Sequence, residues 1–227
     1  MSKLWIFGDS HSEPFSKVEN MWWKRDYINW KGYSPKFYGD FIFDDISLLV
    51  ENNAIGGSDN HTIFESVIPF FKKIDDSDII IIGWSNTMRF RVINKMGHFN
   101  TIRPTSINRV IKINKVQPYL DFSEESLKEM VINRDSQNYI TETNNFIETF
   151  NFIFRKNKII HWSPFMQHDE GLLTTVITPK NLETINDETN GAILDYHFSE
   201  SSHKLLADIF LKEIKNSHTI ENKVSLI

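Results

Sequence analysis

Short apolar runs alternate along the chain with longer stretches in which apolar residues recur every three or four positions. Leu4-Trp5-Ile6-Phe7 has no helical spacing and stops at Gly8, which reads as a buried strand of a parallel sheet. Ser47–Val50 is a second candidate strand. Asp78-Ile79-Ile80-Ile81-Ile82-Gly83 is aliphatic throughout, as a central strand covered on both faces should be. Lys158-Ile159-Ile160-His161-Trp162 is another, ended by Ser163-Pro164, with His161 a core or rim histidine. Between these runs the period becomes helical. From His61 to Ile74 the apolar positions are Ile63, Phe64, Val67, Ile68 and Phe71, and Pro69 is placed to kink or shorten the helix. Asn138–Lys156 turns Ile140, Phe146, Ile147, Phe150, Ile153 and Phe154 inward, and Glu200–Asn216 does so with Leu205, Leu206, Ile209, Phe210 and Ile214 behind Ser199 as N-cap. The alternation predicts one domain over residues 1–227, a three-layer αβα sandwich on a mostly parallel sheet of roughly five strands.

Two stretches interrupt that rhythm. Residues 13–43 are polar and aromatic, with Met21, Trp22, Trp23, Tyr27, Trp30, Tyr33, Phe37, Tyr38 and Phe41. This is an insertion packed on the sheet edge, or one whose aromatics line a cleft. In residues 89–137, Arg89–Ile93 and His98–Ile102 flank Asn94-Lys95-Met96-Gly97 as a hairpin, Pro104 and Pro118 make the pattern irregular, and a short helical stretch lies near 123–133. This second insertion is expected on the functional side of the sheet, like a lid. Its Arg89, Arg91, Arg103 and Arg109 read as a solvated face, with one of them available to an acidic substrate.

Composition narrows the function classes. The formal net charge of −5 argues against a nucleic-acid partner bound by bulk electrostatics. The chain holds no basic amphipathic helix and no long apolar span, so no membrane partner is expected. Cysteine is absent, which excludes disulfides, thiol catalysis and cysteine-ligated metal sites. The first residues lack the charged start, apolar core and small-residue cleavage site of a signal peptide. The expected location is therefore the cytoplasm, or the virion or host cytoplasm if a phage encodes the chain. Richness in Asn, Ile and Lys suggests an AT-rich genome.

In open α/β sheets, ligands bind off the C-terminal ends of the strands. Ser10 follows the first strand there, in Gly8-Asp9-Ser10, and could present its hydroxyl to solvent and its N–H to a ligand oxygen. Paired Gly56 and Gly57 follow the second strand and allow close backbone approach to a ligand. Gly83-Trp84-Ser85-Asn86 ends the third, and Asp195-Tyr196-His197 lies on a loop just before the last helix. The order of these motifs and their placement at successive strand ends resemble the SGNH (GDSL-type) hydrolase superfamily over nearly the whole chain, with its flavodoxin-like fold.

The resemblance implies a catalytic triad of Ser10 as nucleophile, His197 as base and Asp195 as orienter. It implies an oxyanion hole from the N–H groups of Ser10 and Gly57 (Gly56 as fallback) with the Asn86 amide. The third block departs from the family's Gly-x-Asn. Strict alignment puts Ser85 in that place, so Asn86 reaches the hole by a one-residue shift, or Ser85 donates its hydroxyl, or the donor is missing. Trp84, Ser85 and Arg89 are expected to contact substrate, and His203 is read as structural. The implied activity is hydrolysis of a carboxylic ester through an acyl-enzyme, with no cofactor and no metal. The partner is a small-molecule or carbohydrate ester; O-deacetylation suits the aromatic insertion, and lipase or acyltransferase chemistry uses the same parts. Two other classes compete. Asp9-x-His11, Asp59-x-His61 and Asp195-x-His197 are carboxylate–imidazole pairs of a kind found in metal-dependent phosphoesterases. The Gly-Trp-Ser-Asn departure motivates a catalytically inactive binding module on the same fold.

Overall fold

The structure is a computed structural model that describes residues 2–18, 22–86, 89–97, 99–116, 118, 120, 122–133, 136–164 and 175–224. Met21 and His98, named above, lie outside these residues, as do the side chains of Trp22 and Trp23. The elements in chain order are β1 (Lys3–Gly8), α1 (Trp22–Lys31), α2 (Tyr38–Ile46), β2 (Leu49–Asn52), α3 (Asn60–Val67), β3 (Ile79–Gly83), β4 (Phe90–Ile93), β5 (Phe99–Ile102), α4 (Ile107–Val116), α5 (Glu124–Ile132), α6 (Ser136–Ile153), β6 (Lys158–Trp162), β7 (Val176–Ile177), α7 (Ile185–Glu188) and α8 (Glu200–Val224).

The main sheet has five strands in the order β2-β1-β3-β6-β7, and every neighbouring pair is parallel. Register aligns the strand ends, with Gly8 opposite Gly83 and Gly83 opposite Trp162. Side chains alternate between the two faces of a strand. Leu4 and Ile6 therefore join Ile79, Ile81, Ile160 and Trp162 on one face, under Tyr38 and Ile42 of α2 and Leu206, Phe210 and Ile214 of α8. Trp5 and Phe7 join Ile80 and Ile82 on the other, under Ile63 and Val67 of α3 and Ile147 and Phe150 of α6. Helices thus cover both faces, which makes the three-layer sandwich. Among the described residues no helix is long and apolar enough to cross a membrane.

Several boundaries differ from the sequence expectation. Ser47 ends α2 in a left-handed conformation (φ 53°), so the second strand begins at Leu49 rather than Ser47. Pro69 closes α3 as expected, since the chain tightens into a 3₁₀ turn over Ile68–Phe70. The hairpin β4–β5 forms its own antiparallel sheet and packs with α4 and α5 around Val92, Ile102, Ile111, Leu120 and Leu127. Helix α4 stands where the pattern looked irregular, because only Ile111 of its side chains is fully covered.

The aromatic insertion is mostly core. Phe15, Tyr27, Phe37 and Tyr38 are buried with α8. Tyr27 donates its hydroxyl to Glu188 and accepts the Glu200 N–H at 3.0 Å, while Lys31 Nζ reaches Glu188 Oε1 at 2.7 Å. Burial and the Glu188 contact push the Tyr27 hydroxyl up from its ordinary pKa. These bonds clamp α1 across α7 and the start of α8, the two elements that bracket the 195–199 loop.

Candidate active site

The first strand ends in a tight turn. A side chain at Gly8 would place its Cβ 2.5 Å from Ser12 Oγ and 2.9 Å from the Gly83 carbonyl, so only glycine fits. Ser12 N–H donates to the Asp9 carbonyl at 3.0 Å, and His11 N–H donates to Asp9 Oδ1 at 3.0 Å. The turn buries Asp9, His11 and Ser12 and leaves Ser10 partly open to solvent. Ser10 Oγ itself is buried and makes no hydrogen bond to the described protein atoms.

The second loop is carried alongside the first. Asn53 N–H donates to Ile6 O at 2.8 Å and Ile55 N–H to Gly8 O at 2.9 Å, which extends the β1–β2 pairing beyond the strands. Asn52 Nδ2 donates to the Ser12 carbonyl at 2.8 Å. The chain then turns, Ser58 N–H closing on Ile55 O at 3.3 Å with Gly57 at φ +82°. That backbone conformation is cheap only for glycine. The N–H groups of Ser10 and Gly57 both lack a protein acceptor among the described residues. Beneath the loop, Glu13 Oε2 would lie 2.8 Å from a Cβ at Gly56, and it is paired at 3.6 Å with the buried Lys24.

The third loop is held from below. Ser85 N–H donates to Asn60 Oδ1 at 2.7 Å, and Asn60 Nδ2 donates to Thr143 Oγ1 at 3.0 Å. The Ser85 hydroxyl is buried without a partner, whereas Asn86 is half-buried. Both remain beside the strand end.

The fourth piece is the loop before α8. Ile185 N–H donates to His197 O and Asn186 N–H to Asp195 O, each at 2.8 Å, so α7 fixes this loop's backbone. Asp195 Oδ1 lies 2.6 Å from His197 Nδ1 and accepts the His197 N–H at 2.7 Å. A carboxylate only accepts, so Nδ1 carries the ring proton and Nε2 is the basic nitrogen of the neutral imidazole. The His11 ring meets the His197 ring at 5.2 Å and Phe198 at 4.5 Å. Because His11 follows Ser10, that contact joins the two ends of the sequence at one place. Burial chiefly, opposed by Asp9, lowers the His11 pKa to about 4, so its ring is neutral at pH 7.

Three expected substrate contacts need revision. Trp84 has no exposed surface; its ring is stacked near Phe146, Phe150 and His161, and Nε1 donates to His161 Nδ1 at 3.1 Å. It is core because α6 closes over the end of β3. Ser85 is buried as well, so its side chain is not a surface contact. Arg89 is not on a solvated face: it is buried, with Nη1 3.0 Å from Asp9 Oδ2 and donating to Ser58 O at 2.8 Å. The Asp9 contact has the distance of an ion pair without the alignment of a hydrogen bond. His203 is buried among Phe15, Phe37, Tyr38 and Phe198, and burial lowers its pKa to about 3.

The carboxylates of the three Asp-x-His pairs are spoken for separately. Asp9 faces Arg89, Asp59 caps α3 through Thr62 N–H at 2.7 Å, and Asp195 holds His197. Among the described residues no three His, Asp or Glu side chains gather as a metal-holding group. Sequence reasoning missed Asn60 as part of the site and named His11 only in the metal reading. The signal available was their position, one at the first turn of α3 and the other next to Ser10.

No protein-family model matches the chain, and no curated protein matches it in sequence. Solved structures do. A carbohydrate esterase, whose active site is described as displaying divergent catalytic and non-catalytic binding functions, superposes with a TM-score of 0.49 at 13% identity, over 94% of this chain and 68% of that one. The lipase Lip_vut3 from a goat rumen metagenome gives a TM-score of 0.44 at 12% identity, over 94% of this chain and 97% of that one. Identities this low are silent on chemistry, which has to follow from this chain's own atoms.

Proposed function

We propose that the chain is a serine ester hydrolase of SGNH type. The observation that carries this reading is the 2.6 Å Asp195–His197 pair, brought by the His11–His197 contact to the turn in which Ser10 alone is partly exposed. In the proposed reaction Ser10 Oγ gives its proton to His197 Nε2 and bonds to the ester carbonyl carbon. Negative charge moves to the carbonyl oxygen, where the unspent N–H groups of Ser10 and Gly57 receive it, with Asn86 or the Ser85 hydroxyl as third donor. The intermediate collapses, the C–O bond to the alcohol breaks, and the alcohol leaves with the proton from His197. Water, deprotonated by His197, then releases the acid and restores Ser10. Asp195 orients His197 and stabilises its charged form, and no cofactor is required.

Exposed Tyr196 and Leu194 flank His197, and exposed Ile55 precedes the glycine pair. They offer apolar contact to the acyl group or to a sugar face, in keeping with an O-acetylated carbohydrate or another small ester. The open Ser10–His197 contact favours a second reading, an inactive binding module, although such contacts are often loose without substrate. One experiment separates them: treatment with a fluorophosphonate and peptide mass analysis, alongside hydrolysis of short-chain aryl esters. The esterase reading expects one adduct on the peptide containing Ser10, none in Ser10→Ala, and turnover indifferent to EDTA. A folded wild type that takes no adduct and hydrolyses nothing is the binding module. Turnover abolished by EDTA and restored by manganese is the metal reading.

A further inference from the structure

Arg89 touches each of the three strand-end loops that carry candidate oxyanion donors. Its backbone N–H donates to Asn86 O at 3.0 Å, closing the loop after β3. Its Nη1 lies 3.0 Å from the carboxylate of Asp9, in the turn that presents Ser10. The same nitrogen donates to the carbonyl of Ser58 at 2.8 Å, in the loop that presents Gly57. The guanidinium and the Asp9 carboxylate are both almost wholly buried, with side-chain exposures of 3% and 2%. Solvent therefore does little to screen the pair.

We propose that Arg89 is a positioning residue that sets the spacing of the oxyanion hole by strapping these loops together; the inference rests on the esterase reading above. An oxyanion hole works by preorganisation, since donors already in place cost nothing to reorganise when charge develops. Ser10 and Gly57 sit on separate loops with different hydrogen-bond partners. Ile55 N–H to Gly8 O and Asn52 Nδ2 to the Ser12 carbonyl tie the bases of these loops, and Arg89 adds a link between Asp9 and Ser58, the residues next to Ser10 and Gly57. One nitrogen of a planar, rigid guanidinium meets the anion and the carbonyl here, whereas an ammonium would sit at the end of a flexible stem as a point charge. Asp9, next to the nucleophile, supplies the counter-charge that lets the cation remain buried.

Two variants test this. Arg89→Lys keeps the charge opposite Asp9 and loses the planar guanidinium. Asp9→Asn/Arg89→Met removes both charges together, so no unpaired charge is left inside and the fold is preserved if the first variant fails to fold. The expected result in each is a fall in kcat on a short-chain aryl ester of roughly 10- to 100-fold, with KM moving less than about twofold. Hydrogen exchange should quicken in the peptides covering residues 9–12 and 55–58 and stay unchanged over α6. Wild-type kcat with unchanged exchange at both loops overturns the proposal, as does quickened exchange spread over the whole molecule, which marks a merely structural residue. If wild type takes no fluorophosphonate, the esterase reading fails, and exchange at the two loops alone decides whether Arg89 is the strap.

Discussion

The two ends of the central sheet each hold a buried aspartate, and the two are treated in opposite ways. At the N-terminal end, Asp78 Oδ1 accepts the Lys3 N–H at 2.8 Å, and Oδ2 accepts Trp5 Nε1–H at 2.8 Å and the Asp75 N–H at 3.0 Å. Asn157 Nδ2 ties the neighbouring carbonyls of Asp75 and Asp78 at 2.7 and 3.1 Å. At the C-terminal end, Asp9 is shared between its own turn and Arg89, and the hydroxyls of Ser10, Ser58 and Ser85 are buried without a partner. A buried polar atom left unpaired costs about 1–3 kcal/mol. Polar groups that are all satisfied belong to stability; a cluster that is not marks the end where the fold tolerates a cost for function. This is also the end at which open α/β sheets bind ligands.

Breaking the C-terminal rim should cost activity and spare stability. Ser10→Ala should lower ester turnover by roughly a thousandfold or more while the melting temperature moves by only a few degrees, because the residue is partly exposed and its hydroxyl is unbonded. Steady-state kinetics beside a thermal melt check both halves, and full turnover in this variant would remove Ser10 from the mechanism. Asp195→Ala should be milder, about a hundredfold in kcat, since the carboxylate orients His197 and does not react. Its pH–rate profile should change along with kcat; a change confined to KM would place Asp195 outside the proton relay.

The N-terminal rim should respond the other way. Asp78→Ala strands three donors and should cost about 3 kcal/mol, roughly 6–12 °C in melting temperature, with kcat per folded molecule unchanged. A loss of kcat in the folded fraction would collapse the distinction between the two ends.

The smallest effect sharpens the comparison, because His161 lies toward the C-terminal end yet is satisfied like the other rim. Its Nδ1 accepts from Trp84 and its Nε2, 3.2 Å from Asn151 Oδ1, carries the proton. Burial lowers its pKa to about 4. Below pH 6.5 the unfolded chain takes up a proton that the native fold refuses, so stability falls as pH drops from about 6.5 towards 4. This one group should withdraw about 2 kcal/mol between pH 6.5 and pH 5. His11 and His203, also lowered, act in the same direction. Denaturant melts of His161→Gln across that window should show a shallower decline than wild type, and an identical slope would refute the assignment.

Much of this architecture was legible in local pattern. β1, β3 and β6 are aliphatic runs that must be covered on both faces, so their sequence announces a parallel sheet flanked by helices. Asp195 and His197 are two residues apart and meet through a local turn, which a sequence can show. β7 escaped notice because two residues carry no periodicity. α2 escaped because its aromatic content reads equally well as a loop.

The sequence by itself determined the period of the long core strands and helices, and with it the layer order and the strand ends at which chemistry can sit. Only the tertiary structure decided which side chains at those ends are exposed. Arg89 is one arginine among several by pattern, and becomes a buried ion-pair partner because Asp9, eighty residues earlier, meets it through the folded sheet. Trp84 follows a strand as a substrate-facing aromatic would, and is core because α6 covers it. Backbone periodicity is a property of neighbours along the chain. Burial and charge pairing depend on neighbours across it, and no local pattern contains them.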